Sequence, residues 1–223
     1  ALPICDGDPP AGAVMKLEAC VKGGRFYVSV LACIRFGWAR TDAALRKKFQ
    51  CNRRTVNDLT KRLAAAGLIY PGGWELSGTH WIPVWRIGDK PHAPHPRGKA
   101  LQKLPPRREV VAFAALWNEL QTPTTTSQLV EASGIDRITT GRIIKYAREL
   151  RMVRIAGWMD QPGQGARAPM FALGGRADEP KPPPRPMAEL QREYQARVAS
   201  RKQTSLLYAA ITGRAIEPAG LPA

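Results

Sequence analysis

The sequence predicts a mainly α-helical protein with small β-hairpins, an α+β chain made of two successive copies of one helix-and-hairpin unit followed by a C-terminal helix. Three observations predict it. Sliding the 223 residues against themselves at an offset of 84 sets Arg53, Thr55, Lys61 and Trp74 on Arg137, Thr139, Lys145 and Trp158. The same offset sets Leu45, Leu59, Leu68 and Ile69 on Leu129, Ile143, Met152 and Val153, and after a two-residue insertion Pro83 to Gly88 matches Pro169 to Gly174. Within each copy, apolar residues at helical spacing give way to the alternation of strands. Finally, a chain that is 44% apolar and 23% charged has ordinary globular composition and enough apolar residues for a buried core.

Each copy reads as the same series. An apolar run, Arg25 to Phe36 or Glu109 to Leu120, has the spacing of a buried helix. A short second helix follows, Thr41 to Phe49 or Ser127 to Ser133, with Thr41-Asp42 and Ser127 as expected N-caps. A tight turn, Gln50-Cys51-Asn52 or Gly134-Ile135-Asp136, leads into a third helix. That helix sets Val56, Leu59 and Leu63, or Thr140, Ile143 and Ala147, on one face. Gly67 is a good terminator for the first copy, where the second has Arg151. Two strands close each copy, Leu68 to Trp74 with Trp81 to Ile87, and Met152 to Met159 with Ala168 to Leu173.

The expected domain plan is an N-terminal extension at 1–24, a first domain at 25–89, a proline-rich basic linker at 90–107, a second domain at 108–176, and a proline-rich linker with a basic helix and tail at 177–223. In extended polyproline form, at about 3.1 Å per residue, the central linker would span roughly 50 Å. That exceeds the roughly 34 Å between successive major-groove faces on one side of a duplex. The C-terminal helix is expected from Met187 to Gln203, with Leu190, Tyr194 and Val198 at spacing four. The apolar residues beyond it, Leu206, Leu207, Tyr208 and Ile211, are expected to pack on a domain or to pair two chains as a homodimer.

Lys and Arg number 34 against 18 Asp and Glu, a net charge of +16, which points to a phosphate-rich partner or an anionic surface. The faces of the third helices opposite the apolar ones carry basic and polar residues, Arg53, Arg54, Asn57 and Lys61 in the first copy, and Arg137, Thr139, Arg142 and Lys145 in the second. Long polar side chains near a helix N-terminus suit base-edge and phosphate contacts in a major groove. The alternative is a solvated basic face. Asp58 and Asp136 limit how far phosphate contact can extend. Near the hairpin tips lie Thr79 and His80, and Gln164 and Arg167, with His80 and Arg167 the candidate contacts. Trp74, Trp81, Trp85 and Trp158 read as core rather than as base-stacking platforms.

Two helices, a turn, a basic helix ending in RLAAAGLIY and then a hairpin resemble the winged helix-turn-helix family, with YARELRMVRI as the second occurrence. The segments PVWRIGDKPHAPHP and PMFALGGRADEPKPPPRP are similar to the endings of such proteins from phages, prophages and mobile elements. The resemblance spans residues 25–89 and 108–175. It implies sequence-specific binding of double-stranded DNA by the third helices and the hairpin wings, in a transcriptional regulator of a phage or mobile element. A replication initiator and a protein-interaction or assembly module are the alternatives.

An enzyme is not expected. The chain has no phosphate-binding Gly-Lys loop, G-x-S-x-G or H-E-x-x-H motif, and no convincing carboxylate pair. Cys5, Cys20, Cys33 and Cys51 lack C-x-x-C spacing, so neither a metal nor another cofactor is expected and the thiols are read as free. Without a run of about 20 apolar residues or a signal-peptide pattern, the expected location is the cytoplasm, in association with the nucleoid, and no membrane partner is expected.

Overall fold

A computed structural model of the chain describes residues 23–98, 104–160 and 167–212. The architecture is mixed α/β. Three helices, α1 (Gly24–Arg35), α2 (Asp42–Phe49) and α3 (Arg53–Ala65), precede a hairpin of β1 (Ile69–Ser77) and β2 (His80–Ile87). Then come α4 (Arg108–Glu119), β3 (Thr124–Thr125), α5 (Thr126–Ser133), α6 (Arg137–Glu149), β4 (Val153–Met159), β5 (Ala168–Leu173) and α7 (Met187–Thr212). The bounds of α4, α5 and α6 lie 84 residues after those of α1, α2 and α3. β1 and β2 form a two-stranded antiparallel sheet, whereas β5 sits between β3 and β4 in a three-stranded one.

Local chemistry sets the helix ends. The Thr41 hydroxyl accepts from the Ala44 amide, Asn52 Oδ1 from Thr55 and Asp136 Oδ1 from Thr139. Each such cap contributes about 1 kcal/mol. For α5 the cap is Thr125 in a capping box with Gln128, not the expected Ser127, because β3 carries the chain extended to Thr125 and the helix begins one residue later. α3 and α6 end alike. Gly67 (φ 73°) donates to Ala64 O and Leu68 to Leu63 O; Arg151 (φ 53°) donates to Arg148 O and Met152 to Ala147 O. This 6→1 and 5→2 pattern needs a left-handed residue, which glycine supplies freely and arginine supplies at a cost of roughly 1 kcal/mol.

The described residues fall into two compact units, one reaching Gly157 and taking in Pro169–Glu179, the other comprising Trp158–Ala168 and the chain from Pro180 onward. α1 to α6 lie in the first, and the two segments expected as separate domains pack together there. α1 is buried almost all round, from Phe26 to Ile34, since its neighbours include both β2 and α6. Ser29 Oγ and Tyr146 OH share a hydrogen bond of 2.8 Å, and the Arg25 guanidinium lies 5.8 Å from the centre of the Tyr146 ring. Gly24 is needed here, because a Cβ at that position would come within 2.4 Å of Ile143 Cδ1. Tyr27 meets Phe113 edge to face at 5.2 Å, and Arg62 Nη1 donates to Pro105 O at 2.9 Å.

The first described part of the stretch expected as a linker lies against β1. Ala93 donates to Pro71 O, Trp74 Nε1 donates to Ala93 O at 3.0 Å, and His95 stands edge-on to Trp74 at 4.4 Å. The second segment repeats this strap, since Glu179 donates to Ile155 O and the Ile155 amide donates to Asp178 Oδ1 at 2.7 Å. In the second unit, α7 starts at Met187 as expected but runs to Thr212 rather than Gln203, so Leu206, Leu207 and Tyr208 are helical and exposed. No described helix is long and apolar enough to cross a membrane.

Candidate nucleic-acid interface

At 100° per residue, each third helix has a core arc, a flank and an outer arc. On α6, Thr140, Ile143, Ile144 and Ala147 fill the core arc, and Tyr146 and Ile143 meet α1 at the flank. The outer arc carries Arg137, Ile138, Gly141, Arg142, Lys145 and Glu149, all exposed. Thr139 is half-buried, with its amide bonded to Asp136. Hydrogen bonds from the Thr139 side chain and backbone hold the Asp136 carboxyl below the usual carboxylate range, so it stays charged at the start of the helix. There it favours the helix N-terminus and repels phosphate.

α3 has the same register but a different outer arc. Arg53 and Arg54 are exposed, while Asn57, Asp58 and Lys61 are half-buried. Arg54 Nε lies 4.0 Å from Asp58 Oδ2, an exposed pair of little energetic weight. With its amide nitrogen donating, Asn57 reaches Asp42 Oδ2 at 3.1 Å and the Arg53 carbonyl at 3.3 Å. Asp42 also accepts from Trp85 Nε1 at 2.7 Å. Burial pushes the Asp42 carboxyl up, opposed by the Trp85 and Thr60 hydrogen bonds and by Lys61 and Arg53. Asn57 is thus tied into the protein, and the sequence gives no direct sign of it. The signal lies in the repeat: Asp42, Asn57 and Trp85 correspond to Thr126, Gly141 and Phe171, so three residues change together.

The hairpin residues separate in the same way. β1 and β2 join through a two-residue turn at Gly78-Thr79, with Gly78 at φ 59°, and His80 is exposed beside that tip, paired with Ser77. Arg167 precedes β5, where its Nε binds Asp160 Oδ1 at 2.7 Å. Asp160 also faces Arg185 Nε at 3.8 Å, so one carboxylate is shared by two guanidinium groups. Gln164 lies outside the described residues. The outer arcs of α3 and α6 hold Arg53, Arg54, Asn57 and Lys61, and Arg137, Arg142 and Lys145, respectively; His80 and Arg167 sit on the hairpins.

Beyond the far end of α6 lies an open depression of about 630 Å³, lined in part by Lys145, Arg148, Arg151, Arg176 and Asp178. Arg148 and Asp178 pair within it at 2.5 Å. Burial raises the Asp178 carboxyl, but the Ile155 amide and Arg148 outweigh it and leave the group below the usual range. Burial also pushes the Cys33 thiol up to about 11, so it stays protonated as a small core residue. Cys33 and Cys51 are free, and among the described residues no cluster of three or more His, Cys, Asp or Glu side chains could hold a metal ion. No protein-family model, curated protein or solved structure matches the chain.

Proposed function

We propose that the chain is a sequence-specific double-stranded DNA-binding protein, built as two winged helix-turn-helix units in tandem and acting as a transcriptional regulator of a phage or mobile element. One observation carries this reading: the outer arc of α6 presents Arg137, Arg142 and Lys145 together, with no acidic residue among them until Glu149. A helix so placed, with its apolar side anchored by the core and by α1, can offer guanidinium and ammonium groups to base edges and phosphates. Arg53 and Arg54 at the start of α3 extend the cationic surface, and the net charge of +16 supplies long-range attraction. Such binding weakens steeply with salt.

The test is enrichment of genomic fragments by the 223-residue chain at about 150 mM salt, where weak non-specific binding is suppressed. Discrete sites beside promoters are the expected result. Sites clustered in an origin would favour the replication initiator, and uniform recovery would leave an architectural role. The exposed Leu206, Leu207 and Tyr208 on α7 favour a homodimer as the second element of this proposal. Sedimentation of the full chain and of Leu206→Ser/Leu207→Ser should then show a dimer lost in the variant.

A further inference from the structure

Granting the DNA-binding reading above, we infer that the two third helices divide the work: α6 reads bases, with Ile138 packed on the C5 methyl group of a thymine, while α3 anchors to phosphate. At matched positions, Asn57, Asp58 and Lys61 of α3 are half-buried, whereas Gly141, Arg142 and Lys145 of α6 are exposed. An asparagine amide on a groove-facing helix can pair with adenine, but that of Asn57 is bonded to Asp42 and to the Arg53 carbonyl. What α3 presents outward is Arg54, whose side chain is 92% exposed, together with Arg53. Those are phosphate ligands by charge and reach.

Two features of α6 lack a reason inside the fold. Ile138 is 68% exposed in the middle of a cationic arc, one turn from Arg142 and two from Lys145. Gly141 stands mid-helix, where glycine is a poorer helix former than alanine, and a Cβ there would meet nothing within 4 Å. Its φ is not positive, so no backbone strain calls for glycine. A missing Cβ between Ile138 and Lys145 lets a surface approach the helix backbone closely. The flanking charges require that surface to be anionic, and the isoleucine requires it to carry an apolar feature. The thymine methyl is the apolar group of the major-groove floor, and the phosphates that line the groove match Arg137, Arg142 and Lys145.

The test uses the full chain and a duplex selected from a random-sequence pool at about 150 mM salt. Each thymine of that duplex is replaced in turn by uracil, which removes only the methyl group. The expected result is one position at which the wild type loses about fourfold in affinity, the worth of one buried methyl, and Ile138→Ala loses nothing further. Gly141→Ala supplies an independent readout. It should raise Tm by about 2–4 °C, as a better helix former, and at the same time weaken the selected site. The inference is overturned if uracil has the same effect on wild type and Ile138→Ala at every position, or if Gly141→Ala leaves affinity unchanged. Failure to bind any duplex at low salt would instead remove the DNA reading, and this inference with it.

Discussion

Beneath α3 the first segment places a carboxylate, and at the matching position before α6 the second places a threonine. Asp42 accepts the indole N–H of Trp85 and faces Asn57, whereas Phe171 has no side-chain N–H to satisfy and Thr126 and Gly141 stand where Asp42 and Asn57 do. A buried indole N–H needs an acceptor, and a half-buried carboxylate needs donors, so each residue of the first set makes sense only with the others. The second set dispenses with the network. The difference shows how one helical framework can either lock the outer face of its third helix to its own core or leave that face open.

The largest effect expected from breaking this comparison is in Trp85→Phe. It removes the strongest donor to Asp42 and should cost about 2–3 kcal/mol in urea unfolding. Adding Asp42→Thr and Asn57→Gly, which transplants the second set, should recover most of that loss. A triple variant no more stable than Trp85→Phe would break the account of the network.

Backbone strain gives a smaller contrast. Arg151→Gly should stabilise by about 1 kcal/mol, because glycine takes the left-handed φ without penalty. Gly67→Ala should destabilise by about the same amount. Equal responses in sign would contradict the shared helix ending.

Acid sharpens the comparison further, because the two segments carry carboxyls shifted in opposite directions. Asp42 lies above its unfolded value, so the folded state binds its proton more tightly, and the contribution of this group falls as pH rises through the window between the two values. Asp178 lies below its unfolded value, so its contribution is full above the usual carboxylate range and is lost as pH falls through the lowered one. Urea unfolding between pH 3 and 7, compared with Asp42→Asn and Asp178→Asn, should show the two variants changing the pH slope in opposite senses. The same sense in both would contradict the assignment.

Much of the framework was legible. Period and caps placed α1 to α6 to within a few residues, because Thr41 and the turn before each third helix are local signals. What was not legible depends on residues far apart in sequence. β3 has two residues, too few to show alternation, and forms because Thr124 and Thr125 pair with Phe171 and Met170. The strap over β1 reads as a proline-rich linker until the Pro71 carbonyl meets the Ala93 amide. At the candidate site, helical spacing sufficed to put Arg54, Arg137, Arg142 and Lys145 outward. It could not show that Asn57 turns to Asp42 or that Arg167 turns to Asp160, since neither carboxylate lies on the residue's own element. Ile138 and Gly141 give no such signal, because an apolar residue or a glycine on a basic helix carries no charge.

The measurement that bears most directly on α6 is the affinity of wild type and Arg142→Ala for a selected duplex and for its scrambled counterpart at about 150 mM salt. Arg142 is exposed and pairs with no acidic residue in the described chain, so its removal should leave the fold intact. The expected loss on the selected duplex is about 1–3 kcal/mol, with a much smaller change on the scrambled one. Unchanged affinity for the selected duplex, or an equal loss on both, would contradict a reading helix at α6.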